Sequence, residues 1–230
     1  MAADRRPLLS DATWPDTIRS GLVVVPVGSL EQHGPHLPLD TDTVIAHAVA
    51  AAVAERVPGA WVAPPIHYGA SGEHQSFSGT SSIGTQVLRE VVLELVRSMR
   101  TWTRRVVLVN GHGGNIEALT SAVEQLRVEG HDVAWLPCQT DRYADAHAGR
   151  TETSLMLHLQ PGAVRLDLAE AGNTAPLAQL LPYLRTGGVR SVSVNGVLGD
   201  PRGASAEEGR RLLESMVDHV VERLTEERVS

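Results

Sequence analysis

The stretch that decides the fold is Leu22-Val23-Val24-Val25-Pro26-Val27, which ends in Gly28-Ser29. A continuous apolar run of this length is typical of a strand that is covered on both faces. The same pattern returns in Arg105-Val106-Val107-Leu108-Val109, which is followed by Asn110-Gly111. We therefore predict that both runs are buried strands of a parallel or mostly parallel sheet.

Amphipathic segments alternate with these strands. Apolar residues recur at helical spacing in two segments between the runs: Ile45, Ala48, Val49, Ala52 and Val53, then Val87, Leu88, Val91, Val92, Leu95, Val96 and Met99. Further helices are predicted over about residues 115–128 and from near Thr151, with a short strand over residues 133–136. Ser205 and Glu208 form a capping-box pair that begins a final helix. This alternation predicts one domain over residues 1–230, folded as a layered α/β/α sandwich with a mostly parallel sheet.

The composition limits which binding partners and which cellular location we expect for this protein. The 230 residues are 42% hydrophobic and 20% charged, which is the balance of an ordinary globular protein. The net charge of -7 disfavours a nucleic-acid partner, because such a partner needs a basic face. Cys138 is the single cysteine, so we expect no intrachain disulfide, an inert buried thiol and a cytoplasmic location. No secretory pattern or membrane-spanning apolar run is visible, so no membrane partner is predicted.

A first polar cluster follows the first strand. Glu31 and His33 lie in a loop stiffened by Gly34-Pro35, and both can face one ion if the backbone there is extended. A carboxylate and an imidazole together suit zinc, manganese or iron(II). Asp42 stands where the next helix begins and has two interpretations, a metal ligand and a helix N-cap.

Further clusters occur later in the chain. His112 lies between glycines directly after the second strand, and the alternative to a functional role is a glycine turn that opens a helix. His147 and Glu152 flank the beginning of another helix, where an acidic residue can also simply offset the helix dipole. Glu73 and His74 occupy a polar loop and are candidates for lining a substrate pocket. Ligands in parallel α/β folds bind beyond the carboxyl ends of strands, so we expect the clusters after the strands at that edge.

Other catalytic chemistries lack their motifs. The sequence contains no G-x-S-x-G nucleophile elbow and no Gly-Lys-Ser/Thr phosphate loop, and Ser29 has no neighbouring base that would activate it. The single cysteine has no recognisable catalytic partner. Metal-activated water is the chemistry that remains.

The ordered set of motifs resembles the creatininase family of metal-dependent amidohydrolases. The resemblance rests on Gly28-Ser29-Leu30-Glu31-Gln32-His33-Gly34-Pro35-His36-Leu37-Pro38 with Asp42, on Asn110-Gly111-His112-Gly113-Gly114-Asn115, and on His147-Ala148-Gly149 with Glu152-Thr153-Ser154. It implies a hydrolase of C–N amide bonds that holds two divalent metal ions, zinc and/or iron(II), with manganese as a further candidate. Glu31 and His112 would bind one ion, His33 the other, and Asp42 both.

One position departs from the family pattern. Creatininase carries a metal-binding glutamate two residues after the histidine that matches His112, whereas this chain has Gly114 there. We infer that Glu152 supplies the missing carboxylate. The departure argues against creatinine as the substrate.

Two further stretches, residues 68–80 and 187–201, resemble the branch of the family that acts in mycofactocin biosynthesis. That branch consists of peptidases acting on a modified ribosomal precursor peptide, from which a C-terminal Val-Tyr dipeptide would be released. Family members form homo-oligomers, often hexamers. By this resemblance, the partner of the chain is the modified precursor peptide and its assembly is a homo-oligomer.

Roles can be assigned to the remaining candidates. We predict that His147 gives a proton to the leaving amine, that Glu152 has a catalytic as well as a metal-binding role, and that N–H groups near Gly113 and Gly114 hold the oxyanion. Two alternatives stay open. One is another small-amide or cyclic-amide hydrolase of the family, such as a deformylase, and the other is a metal-binding scaffold without activity.

Overall fold

A computed structural model describes residues 7–18, 20–140 and 145–226. Within this part, the sheet has four strands, β1 Leu22–Val27, β2 Ala60–Val62, β3 Val106–Asn110 and β4 Val133–Pro137. Their order is β2-β1-β3-β4, and every neighbouring pair is parallel. The parallel sheet predicted from the sequence is confirmed, and the two apolar runs form its central strands.

Helices cover both faces of this sheet. The α-helices of the described chain are α1 Thr41–Arg56, α2 Gly84–Met99, α3 Ile116–Val128, α4 Arg150–Leu159, α5 Leu177–Gly187 and α6 Ala206–Glu226. α1, α4 and α6 share one apolar core with the sheet, while α2 and α3 share the core on its other face. The α/β/α layering is therefore as predicted. None of these described helices is long and apolar enough to cross a membrane.

Up to Asn110, the last residue of β3, the central strands are apolar because alternate residues face different layers. Val24 and Val107 belong to the core beside α1 and α6, whereas Val23, Val25 and Leu108 belong to the core beside α2 and α3. All of these side chains are 0% exposed. A strand covered on both faces cannot show the polar alternation of a half-exposed strand.

The strand order fixes where a ligand can bind. The chain moves from β1 outward to β2 and then returns to β3 on the opposite side of β1. The connections therefore diverge between β1 and β3, and such a switch point leaves a crevice beyond the carboxyl ends of the strands. The loops after β1 and β3 both begin at this crevice.

The beginning of α6 shows how the C-terminal helix is held. Ser205 Oγ accepts a hydrogen bond from Glu208 N–H at 3.2 Å, which is one half of the predicted capping box. The Glu208 carboxylate does not return to Ser205 but accepts hydrogen bonds from Arg150 Nε at 2.8 Å and from Ser154 Oγ at 3.1 Å. The second half of the box is therefore replaced by contacts that join α6 to α4.

Candidate metal centre

Loops and helix ends deliver the five predicted metal ligands to one edge of the sheet. Glu31 and His33 follow β1, and His112 follows β3. Asp42 lies in the first turn of α1, and Glu152 lies in the first turn of α4. Of the five, only Glu152 is not fully buried. The structure thus brings together side chains that are distant along the chain.

A first group contains Glu31, Asp42 and His112. His112 Nδ1 lies 3.2 Å from Glu31 Oε2 and 3.3 Å from Asp42 Oδ2. Ser29 Oγ lies between the same two carboxylates, at 2.7 and 2.8 Å, and its single proton can be donated to only one at a time. One ligand atom from each of the three residues lies within 4.8 Å of the others, which is close enough to surround one cation.

A second group contains His33, Asp42 and Glu152. His33 Nδ1 lies 3.1 Å from the Glu31 carbonyl oxygen, so it carries the proton and Nε2 presents a lone pair. That Nε2 lies 3.1 Å from Asp42 Oδ1 and 3.9 Å from Glu152 Oε2. Glu152 Oε2 also accepts the N–H of Ala148 at 2.6 Å, which fixes its orientation. Glu152 therefore supplies a carboxylate to the group of His33.

Asp42 joins the two groups. Its Oδ1 faces His33 and its Oδ2 faces His112. The N-cap of α1 is Asp40, so the interpretation of Asp42 as a helix cap is wrong. A carboxylate with one oxygen in each group is suited to bridge two cations.

Two more histidines surround the remaining oxygen of Glu31. Glu31 Oε1 is buried without a hydrogen bond among the described residues, with His74 Nε2 at 3.3 Å and His147 Nδ1 at 3.6 Å. His147 Nε2 lies 2.8 Å from the Gln32 carbonyl oxygen and carries the proton there, so Nδ1 directs a lone pair toward Glu31. Gln32 Nε2 can donate to His74 Nδ1 at 2.8 Å and to the Gly196 carbonyl oxygen at 3.0 Å.

The electrostatics of the cluster favour bound positive charge. Burial opposes protonation of His33, but Asp42 and then Glu152 raise its pKa to about 10. Burial also opposes protonation of His112, yet Glu31 and Asp42 raise the pKa of this ring well above its usual value. Burial raises the pKa of Glu152 to about 7, against the lowering effect of His33. The buried carboxylates favour protonation of the neighbouring histidines, which adds positive charge to the site. Divalent cations would supply positive charge in place of these protons, so the set of donor atoms fits metal ions.

Glu73 contacts His112 from the side opposite the first group. Glu73 Oε1 lies 3.4 Å from His112 Nε2, a buried nitrogen that otherwise has no hydrogen-bond partner among the described residues. A Cβ added at Gly114 would lie 2.8 Å from the same Glu73 oxygen and 2.5 Å from His112 Nε2. The same Cβ would lie 2.3 Å from the Ala70 carbonyl oxygen, so Ala70, His112 and Glu73 together leave no space for a side chain at position 114. Glu152 serves the His33 group, whereas Glu73 is the carboxylate nearest to the position vacated at Gly114.

A cavity of about 890 Å³ opens onto the cluster, and this volume is typical of small-molecule and peptide sites. The predicted site residues in its wall are Asp42, Glu73, His74, His112, Gly113, Gly114, His147 and Glu152. Cys138 also lines it, and burial raises the pKa of this thiol, so the thiol stays protonated. Helix α5 contributes Leu177, Leu181, Leu184 and Arg185 to the same wall.

Sequence reasoning missed three contributors to this region. The sequence suggests only a nucleophile role for Ser29, whereas in the structure its hydroxyl lies within hydrogen-bond distance of two carboxylates. Gln32 lies between two predicted ligands in the sequence, and that position is a signal that could have identified it. Arg185 lies in a stretch whose helix was not predicted, so nothing in the sequence related it to the site.

Comparison with known proteins identifies relatives along nearly the whole chain. The family model for creatininase, described as creatinine amidohydrolase, matches residues 10–224. A mycofactocin precursor peptide peptidase of Mycobacterium ulcerans (strain Agy99) is 57% identical over 221 residues, which cover 93% of this chain and 86% of the relative.

Solved structures of creatininase share the fold and contain metals. A manganese form has a TM-score of 0.81 and 29% sequence identity, with 97% of this chain and 99% of the other covered. A mutant of the Zn-Zn type gives a TM-score of 0.81 and 29% identity over 97% of this chain and 98% of the other. The chain therefore belongs to the creatininase family of metal-dependent amidohydrolases.

Proposed function

We propose that this chain is a metal-dependent peptidase that removes the C-terminal Val-Tyr dipeptide from the modified mycofactocin precursor peptide. The observation that carries the proposal is the meeting of Glu31, His33, Asp42, His112 and Glu152 in two groups that share Asp42. The identity of 57% to a mycofactocin precursor peptide peptidase supports the choice of substrate.

The two groups divide as ligands for two divalent cations. Glu31 and His112 would hold one ion, His33 and Glu152 the other, and Asp42 both. Nitrogen and oxygen donors of this kind accept several metals, and we propose zinc and/or iron(II), with manganese as a third candidate. Cations held there supply Lewis acidity, which activates water and polarises an amide carbonyl.

His147 is positioned to move the proton. Its Nε2–H donates to the Gln32 carbonyl oxygen at 2.8 Å, so Nδ1 can take up a proton and deliver it to the leaving amine. Burial, together with His33 and His74, holds the pKa of His147 well below its usual value, so the ring begins the reaction neutral. Glu152 is the second proposed catalytic group, because its Oε2 lies 3.9 Å from His33 Nε2 and its side chain lines the cavity.

Backbone N–H groups at the beginning of α3 are suited to hold the developing negative charge. Gly113 and Gly114 open a 3-10 turn that leads into this helix, and both line the cavity. Neither donates its N–H to the backbone of another described residue. Free N–H groups at a helix N-terminus favour an anion, which supports their proposed role toward the oxyanion.

Incubation of the metal-loaded protein with the modified precursor peptide, followed by mass spectrometry, tests the proposed function. We expect free Val-Tyr and a peptide shortened by these two residues, while the same protein treated with a chelator should leave the peptide intact. A peptide that stays unchanged with the metal-loaded protein would refute the proposed substrate.

The same assay separates the two alternatives. Hydrolysis of a formylated pyrimidine nucleotide, with the peptide left intact, would favour a deformylase. If the protein has its full metal content and hydrolyses neither compound, the result would favour a metal-binding scaffold without activity.

The proposal extends to assembly and location. By its family resemblance, the chain should form a homo-oligomer, with a hexamer as the first expectation, and act in the cytoplasm. Light scattering coupled to size-exclusion chromatography gives the number of copies, and a monomer at micromolar concentration would contradict this part of the proposal.

A further inference from the structure

The wall that α5 contributes to the cavity has no part in the chemistry described above. Leu177, Leu181 and Leu184 recur at helical spacing on the side of α5 that lines the cavity. Leu177 and Leu181 leave 44% and 39% of their surface exposed, whereas Leu180, which lines no part of the cavity, packs with Val189 and Leu198. Exposed apolar surface inside a cavity is suited to an apolar part of a ligand.

Arg185 adds one positive charge beside this apolar surface. Among the described residues that line the cavity it is the one arginine, and the charged carboxylates of the wall include Glu73, Glu117 and Glu152. Arg185 forms no ion pair or hydrogen bond with another described residue, although ion pairs are frequent elsewhere on the chain. A guanidinium group left available in this way matches the planar geometry of a carboxylate.

Two other arginines near the C-terminal region are already engaged. Arg150 Nε donates to Glu208 at 2.8 Å. The guanidinium of Arg190 lies over the ring of Phe77, 4.5 Å from its centroid. Neither arginine lines the cavity, so Arg185 is the arginine of the described chain that a ligand bound along α5 would meet.

We infer that Arg185 binds the C-terminal carboxylate of a peptide substrate, while Leu177, Leu181 and Leu184 contact the apolar side chains next to that carboxylate. This inference rests on the proposed function and adds how the substrate is selected. The reacting groups and Arg185 line one cavity of about 890 Å³, so a peptide end bound at α5 lies in the compartment that contains the metal ligands. The enzyme then recognises the C-terminal carboxylate of the peptide substrate, and the distance from this carboxylate determines which peptide bond is cleaved.

Binding of Val-Tyr and of its C-terminal amide, measured by calorimetry on the metal-loaded protein, tests the inference directly. The free acid should bind to the wild type, and the amide should bind roughly tenfold to hundredfold more weakly, as expected for the loss of a hydrogen-bonded charged group. The variant Arg185→Gln should bind the acid and the amide equally. Arg211→Gln, which changes an exposed arginine on α6, is the matched control and should behave as the wild type.

Cleavage of the precursor peptide gives the second measurement. Arg185→Gln should raise KM by a similar factor with little change in kcat, and Arg185→Lys should recover part of the loss. Equal binding of acid and amide by the wild type, or an unchanged KM in Arg185→Gln, would overturn the inference even if the peptide is cleaved. Selective, Arg185-dependent binding of Val-Tyr without cleavage of the precursor would keep the inference and reject the proposed function.

Discussion

Glu73 contacts His112, which we propose as a metal ligand, through the ring nitrogen that faces away from Glu31 and Asp42. A carboxylate that contacts the outer nitrogen of a ligating imidazole fixes the ring orientation and strengthens its basicity, and such contacts change metal affinity by about 10- to 100-fold. Because Glu73 Oε1 lies 3.4 Å from His112 Nε2, we expect Glu73→Gln to weaken the binding of one metal ion by this factor. Metal titration followed by elemental analysis measures the effect.

Glu117→Gln is the control for this change. Glu117 also lines the cavity, but it forms no ion pair with a described histidine. Its substitution should leave both metal ions bound. If Glu73→Gln and Glu117→Gln both leave metal affinity unchanged, Glu73 does not strengthen metal binding through His112.

His147 provides a prediction that separates proton transfer from metal binding. General acid–base catalysis contributes roughly 10²- to 10⁴-fold, so His147→Ala should lower kcat by about this factor. We expect metal content to stay at the wild-type level, because the two groups that share Asp42 do not include His147, although Glu31, His33 and His147 form a third group whose ligand atoms also lie within 4.8 Å of one another. His131→Ala, at a partly exposed site beside Glu129, serves as the control. A parallel loss of metal and activity in His147→Ala would instead make His147 a ligand of the metal.

Some site residues can be predicted from the sequence and others cannot, and the difference has a physical reason. Glu31, His33 and His112 follow the carboxyl ends of two central strands, and parallel pairing of β1 with β3 brings those ends together. The contact between Glu73 and His112 depends instead on the path of a loop with a single 3-10 turn, Gly72–His74. Periodicity carries no information on such a path, so the sequence predicts Glu73 only as a residue that lines the substrate pocket.

At the scale of elements, α4 and α6 pack with almost no space between their backbones. A Cβ added at Gly209 would lie 1.9 Å from the Ser154 carbonyl oxygen, so Gly209→Ala must separate the helices. Helix propensity alone would favour alanine by about 1 kcal/mol, but overpacking should outweigh it and destabilise the fold by roughly 1–3 kcal/mol in total. Thermal unfolding should show a Tm lower by several degrees.

The exposed substitution Glu222→Ala in the same helix is the control and should leave Tm nearly unchanged. Because α4 carries Glu152, the Gly209→Ala variant should also bind metal more weakly at the His33 group. An unchanged Tm in Gly209→Ala would mean that the close approach of the two helices is not required.

Two elements could not be predicted from the sequence. β2 has three residues, which is too short for a recognisable apolar run, and it is held by pairing with β1. α5 contains Pro182, which removes one helical hydrogen-bond donor, and the helix packs against the turns Gly72–His74 and Val189–Ser191. Tertiary contacts rather than local propensity determine both elements.

At the scale of the whole molecule, bound metal should stabilise the fold. The proposed ligands come from the loops after β1 and β3 and from the first turns of α1 and α4, so ions that bind only the folded chain would join four parts of it. A ligand present at 100 times its Kd adds about 2.7 kcal/mol, which corresponds to a Tm rise of roughly 5–10 °C for a chain of this size. Scanning calorimetry of chelator-treated protein with added zinc measures the rise. Calcium, which prefers all-oxygen sites, is the control, and a Tm that responds equally to both ions would contradict a site with histidine ligands.

The attachment of α5 has a consequence for how related enzymes diverge. The end of α5 rests on the loop of Glu73, since a Cβ at Gly188 would lie 2.6 Å from the Glu73 carbonyl oxygen, yet its principal contacts exclude the sheet. Replacements along this helix can therefore accumulate in a lineage without disturbing the sheet from which the loops of the proposed metal ligands extend. New substrates can be acquired in evolution by remodelling one appended segment while an ancestral reaction is retained.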